Sequence, residues 1–249
     1  DYSSGTGTNT LTFNYTVGAG HTSLDLNYVA TTSLALNSGT IKDAALNNAT
    51  LTLPAIGAAG SLAVNKDIEI DTTSPTVAIT TTTGVSDGST TSDATINLTF
   101  TTSESTTDFV VGDITPGNGT LTDFTGSGTS YTATFTPNGQ GAYTIDVAGN
   151  TFTDGASNNN AAAAQFNWTF DNVAPTVISV TSPKADGSYK AETLIPITVT
   201  FSEVVNVTGT PQITLETGSS DAVVDYSSGT TTNTLTFNYT VAAGHDSSD

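Results

Sequence analysis

Hydrophobic and polar residues alternate along most of this chain. Leu11-Thr-Phe13-Asn-Tyr15-Thr-Val17 places Leu, Phe, Tyr and Val on one side and Thr and Asn on the other. The same period of two runs through Thr95–Phe100, Tyr131–Phe135, Tyr143–Val147, Gln165–Phe170 and Ile195–Phe201. A two-residue period describes a strand with one face in a core and the other in water. Turn clusters separate the strands: Gly84-Val-Ser-Asp-Gly88, Pro116-Gly-Asn-Gly119, Gly126-Ser-Gly128, Pro137-Asn-Gly139 and Asp186-Gly187. Short alternating strands between such turns predict an all-β chain of antiparallel β-sandwiches. The one helix candidate, Ala161–Ala164, is too short to nucleate. It leads into Gln165–Phe170, so the pattern predicts a loop or strand lead-in there.

The chain also repeats itself. Residues 1–25 and 225–249 differ only at Gly7/Thr231, Gly18/Ala242, Thr22/Asp246 and Leu24/Ser248. A fixed period is the mark of repeat architecture, and the chain reads as a window on a longer tandem array. A weaker repeat lies inside that period. Asp71-Thr-Thr-Ser-Pro-Thr-Val77 and Asp171-Asn-Val-Ala-Pro-Thr-Val177 are linker-like, and each is followed by a strand and a Ser-Glu pair, Ser103-Glu104 and Ser202-Glu203. Residues 74–173 are therefore expected to form a complete sandwich, type B. Residues 1–73 would be the C-terminal half of a type A sandwich, and residues 174–249 the N-terminal half of the next. Neither half of A could close alone, so each would pair with neighbouring repeats or assemble head to tail with another copy.

Composition narrows the function. There are 4 Lys+Arg against 23 Asp+Glu, a formal charge of −19. Such a field repels phosphate backbones and anionic lipid, excluding nucleic acid as an expected partner, and draws cations. The chain has no cysteine, which removes disulfides, thiolate metal sites and cysteine nucleophiles together. No apolar run approaches the roughly 20 residues that span a bilayer, so no membrane insertion is expected. Catalysis has little support. His21 and His245 are one repeat position seen twice, in Ala-Gly-His, and read as a turn histidine. No phosphate loop, His-Glu-x-x-His or nucleophile elbow occurs, so no catalytic residue and no enzyme is expected. Trp168 alternates with Phe166 and Phe170 and reads as core.

The chain resembles the bacterial Ig-like repeats of giant cell-surface and biofilm adhesins. The likeness is carried by the D-x-x-x-P-T-V junctions, Phe201-Ser-Glu203, the run 119–132, and Thr153-Asp-Gly-Ala-Ser-Asn158. Tyr226-Ser-Ser-Gly229, Leu235–Val241 and Ile41-Lys-Asp-Ala44 extend it to type A. The resemblance implies tandem sandwiches in an extended fibre, secreted or at the cell surface, with calcium at the junctions and no enzymatic activity.

Calcium takes six to eight hard oxygens. Asp71, Glu104, Asp154 and Asn158 are expected to bring oxygen donors to one end of sandwich B. The matching type A positions are Asp171, Glu203 and, from the earlier copy, Asp43. The plainer reading makes these acids solvated loop residues or Asx caps. Asp67 and Glu69 alternate with Asp71, but they read as a solvent face over buried Ile68 and Ile70. The leading functional reading is a structural stalk or polymerising segment of a bacterial adhesin or filament, stiffened by calcium. The alternative is a module whose loops or strand faces bind glycans or a host or matrix surface.

Overall fold

A computed structural model describes residues 1–247; Ser248, one of the four positions at which the repeats differ, lies outside the described residues. Two compact units divide the chain, Asp1–Asn172 and Val173–Asp249.

Unit 1 begins with a small hairpin, β1 (Tyr2–Ser4) and β2 (Thr12–Phe13), antiparallel with Tyr2 opposite Phe13. The following segment is held by isolated pairings, such as Ser23 with Ile70 and Lys42 with Asn48, and holds a four-residue helix, α1 (Leu62–Asn65). Alternation did not reveal this helix. Ile68 is 37% exposed, against the expectation that it is buried. Its stretch is joined to Leu26 by one backbone hydrogen bond and to Ser23 by a reciprocal pair, and lies in none of the sheets.

Type B is a two-sheet sandwich. Its strands are β3 (Val77–Thr81), β4 (Ser89–Thr91), β5 (Ile96–Thr106), β6 (Ile114–Pro116), β7 (Gly119–Pro137), β8 (Gly141–Val147) and β9 (Phe166–Phe170). One sheet has the order β3-β5-β7, the other β4-β9-β8-β6. Period-two residues meet between them: Ile96, Leu98 and Phe100 of β5 face Ile145, Val147 and Trp168 within one buried cluster. Pairing is antiparallel except for β4 beside β9, which is parallel. After β3 the chain crosses through the Gly84–Gly88 turn, and β4 then lies on the edge of the opposite sheet. Residues 161–165 form no helix and lead directly into β9, in line with the loop or strand lead-in that the sequence predicts. Trp168 is 2% exposed, with Phe135, Tyr143 and Phe166 rings around it, and its indole N–H has no hydrogen-bond partner.

Unit 2 holds one five-stranded sheet, ordered β10 (Val177–Thr181), β11 (Leu194–Val205), β14 (Thr232–Thr240), β13 (Ala222–Ser228) and β12 (Gln212–Leu215). Val199, Val224, Leu235, Phe237 and Tyr239 form its small core.

Candidate metal centre

The site starts from an irregularity in β5. Its pairing with β7 shifts register between Thr101 and Thr106. Such a bulge turns side chains away from the regular alternation. Within it Thr102 is buried and donates its hydroxyl to the carbonyl of Glu104 at 2.7 Å, fixing the backbone from which Glu104 projects. Ser103 closes the strand onto the linker: its N–H donates to Thr76 O, and the Thr76 N–H donates to Ser103 Oγ.

The loop 153–159 brings the second acid. Asp154 Oδ1 accepts from the N–H groups of Ala156 and Asn158, and Asp154 Oδ2 accepts from Asn158 Nδ2 at 2.9 Å. Ser157 completes the turn at φ 70°, a left-handed position that a glycine would take with less strain. Asn158 Nδ2 also donates to the carbonyl of Asp71, which ties the loop to the linker. Asp71 itself caps the linker, its Oδ1 accepting from Thr73 N–H at 2.8 Å.

Bulge, loop and linker thus converge. Asp71, Glu104 and Asp154 each place a carboxylate oxygen within 4.8 Å of the others, and Asp154 is buried. Oxygens on opposite sides of a calcium ion stand about 4.6–5.2 Å apart, given ligand distances of 2.3–2.6 Å, so the donor set fits that ion. The electrostatics fit as well. Burial raises the Glu104 carboxyl above its ordinary range, and the charges of Asp71, Asp154 and Glu69 and a hydrogen bond with Asp71 push it the same way. Like charges this close disfavour joint ionisation, and a divalent cation would relieve that repulsion.

Four expected residues, Asp71, Glu104, Asp154 and Asn158, therefore come together. Asn158 turns its amide nitrogen toward the cluster and acts there as a brace. Among the described residues this is the one three-carboxylate group, and Asp43, Asp171 and Glu203 are not in it. They nevertheless repeat its parts. Asp43 Oδ1 accepts from Ala45 and Asn47 N–H and its Oδ2 from Asn47 Nδ2, the same clamp as Asp154 with Asn158. Those bonds, from the Asn47 amide first, hold the Asp43 carboxyl below its ordinary range. Leu46 takes the left-handed place of Ser157, at φ 68°. Glu203 lies where β11 shifts register against β14, between Thr200 and Val205, with the Ser202–Thr176 clasp beside it. Asp171 is the second-last residue of unit 1, its N–H donating to Thr91 O.

Three supports escaped the sequence reading. Asp108 accepts from Thr106 Oγ1 and from the N–H and Oγ1 of Thr153, pinning the loop beside β5. Burial raises its carboxyl, but these hydrogen bonds outweigh it and leave the group below its ordinary range. Buried Asn160 takes the N–H groups of Thr151 and Phe152 and donates to Ala148 O and Ala161 O. Glu69, read as solvent face, stands close enough for its charge to act on Glu104. The run Asn158-Asn159-Asn160 was the one visible signal for a side-chain-braced loop.

Residues 71–170 match a bacterial Ig-like domain. The match opens on the linker aspartate and closes at the end of β9, so all three carboxylates lie inside the Ig-like domain. No match to a curated protein or to a solved structure was found. The Ig-like fold is one that serves structure and binding, and among the described residues no helix is long and apolar enough to cross a membrane.

Proposed function

We propose that this chain is a repeat segment of a secreted or surface-anchored bacterial adhesin or extracellular fibre. Its Ig-like domain holds calcium where the incoming linker meets the sandwich. The observation that carries this reading is the meeting of Asp71, Glu104 and Asp154 from three separate elements. Bound there, the ion would supply cross-linking charge only. Asp71 would fasten the linker, Asp154 the braced loop and Glu104 the bulge of β5, stiffening the junction against bending. The repeat of the Asp43 clamp and the Glu203 bulge in type A supports the same device at alternate junctions of an array, where stability adds from neighbour to neighbour. Burial of Trp168 weighs against the glycan-binding alternative, because the one tryptophan is unavailable as a sugar platform.

Thermal melting of the whole chain in calcium and in EDTA tests the proposal. Calcium is expected to raise the melting temperature of the Ig-like domain in the wild type and to leave Glu104→Gln almost unmoved. Equal melting of the wild type in both buffers would refute it.

A further inference from the structure

Asn-Gly occurs twice in the chain, at Asn118-Gly119 and Asn138-Gly139, and both steps reach one cleft of the Ig-like domain. The cleft has a volume of about 360 Å³, and Asn118, Asn138, Gly139, Gln140 and Tyr143 are among its lining residues. It lies where β7 begins and where β7 turns into β8. An asparagine amide carbon can be attacked by the backbone nitrogen of the next residue. Glycine shields that nitrogen least, having no Cβ and the freest backbone.

The two steps differ in how their glycines are held. Asn138 and Gly139 are exposed, and Gly139 stands at φ 143° with open space where a Cβ would be. Among the described residues neither the Asn138 side chain nor the Gly139 N–H has a hydrogen-bond partner. The Asn118 turn is packed instead. Gly117 N–H donates to Thr144 O at 2.8 Å, and a Cβ on Gly117 would stand 2.5 Å from Thr144 Oγ1. Gly119 lies so close to the fully buried Phe135 that a Cβ there would be 2.0 Å from the ring. The backbone nitrogen that would have to swing toward Asn118 is therefore in a segment clamped on both sides.

We infer that Asn138 is a self-modification site, deamidating through a cyclic imide, and that packing protects Asn118. The Gly139 nitrogen gives up its proton and bonds to the Asn138 side-chain carbon. The bond from that carbon to the amide nitrogen breaks, and ammonia leaves with the proton. Water then opens the five-membered imide at either carbonyl, leaving an α-linked or a β-linked aspartyl residue. Each event adds a negative charge to a chain of formal charge −19. The β-linked product also lengthens the main chain by one carbon at the β7–β8 turn. That turn is tied to the last residue of unit 1, since Gln140 Nε2 donates to Asn172 Oδ1 at 3.3 Å. The modification thus acts on the contact between the turn and the end of unit 1, and it needs no metal.

Peptide mapping of the full chain tests this after incubation in warm, mildly alkaline heavy-oxygen water with EDTA. Oxygen label reports imide opening, and methylation by an isoaspartyl methyltransferase reports the β-linked product. In the folded chain Asn138 is expected to convert at least about tenfold faster than Asn118, a barrier difference of about 1.4 kcal/mol. In denaturant the two steps should convert at similar rates, because the packing that separates them is gone. Asn138→Gln would need a six-membered ring, so it should lose the label at 138 and leave the Asn118 rate unchanged. Equal rates at Asn118 and Asn138 in the folded chain would overturn the proposal. So would an Asn138 that stays intact while the denatured chain reacts. Working in EDTA keeps a failure here separate from a failure of the calcium proposal.

Discussion

One sequence folds twice in this chain, and the two copies differ in everything that depends on partners. The turn is the same: Thr6 N–H bonds Tyr2 Oη in the first copy and Thr230 N–H bonds Tyr226 Oη in the second. Tyr2 and Phe13 stand edge to face at 6.0 Å, Tyr226 and Phe237 at 6.2 Å. Tyr15 stacks on His21, and Tyr239 on His245, each pair joined through Nδ1. Yet β2 has two residues where β14 has nine, and Phe13 is 51% exposed where Phe237 is 5%. Turn geometry and ring pairing are thus encoded within the segment. Strand length and burial come from β11, whose partners in the second copy run from Val205 opposite Thr232 to Leu194 opposite Thr240, distant in sequence.

The sharpest way to break this comparison is to truncate the shared phenylalanine. Phe237→Ala removes a buried ring and should cost unit 2 about 3–5 kcal/mol by chemical denaturation. Phe13→Ala, in the monomeric chain, should cost under about 1 kcal/mol. Equal costs would mean that the first copy is packed after all.

The glycines sharpen the local half of the comparison. Gly5 and Gly229 sit at φ 115° and 112°, and a Cβ on either would lie 2.1 Å from a carbonyl oxygen, that of Thr10 or Thr234. Gly229→Ala should cost about 1–3 kcal/mol of strain. Gly5→Ala should abolish the β1–β2 amide shifts by NMR, because the clash is local and needs no partner.

Removing a hydroxyl should have a smaller effect. Tyr239→Phe deletes the bond to His245 and should cost about 0.5–1.5 kcal/mol. Tyr15→Phe, at an exposed pair, should fall below that in the same denaturation assay.

The smallest effect is a titration. Burial raises the Tyr239 phenol above the ordinary tyrosine range. A group whose folded pKa is raised stabilises fully below its unfolded pKa, and that contribution is lost as pH rises through the folded value. Unit 2 should therefore weaken on the alkaline side of the normal tyrosine range. Tyr239→Phe should flatten that limb of the stability profile.

Much of the fold was legible because period-two alternation survives wherever two sheets close. Ile96, Leu98 and Phe100, and Phe166, Trp168 and Phe170, sit where the pattern places them. Alternation failed where closure is missing. Leu11–Val17 alternates like a half-buried strand, yet only Thr12–Phe13 pairs and Phe13, Tyr15 and Val17 stay exposed, since the pattern marks what a strand can bury and not whether a second sheet is present. In the site, the repeated junction made Asp71 and Glu104 visible, and the family likeness added Asp154 and Asn158. Asp108 and Asn160 were hidden because their roles are hydrogen bonds to backbone N–H groups of a loop 45 and eight residues away, which no local spacing reports.

The two Asp–Asn loops repeat the lesson. Asp43 and Asp154 are clamped by the same bonds, but among the described residues only Asp154 meets a linker acid and a bulge acid. A crystal of the whole chain grown in calcium decides whether that meeting is a metal centre. Expected is an anomalous peak between Asp71, Glu104 and Asp154, at about 2.3–2.6 Å from their oxygens. Ordered carboxylates with no peak at saturating calcium would contradict the assignment.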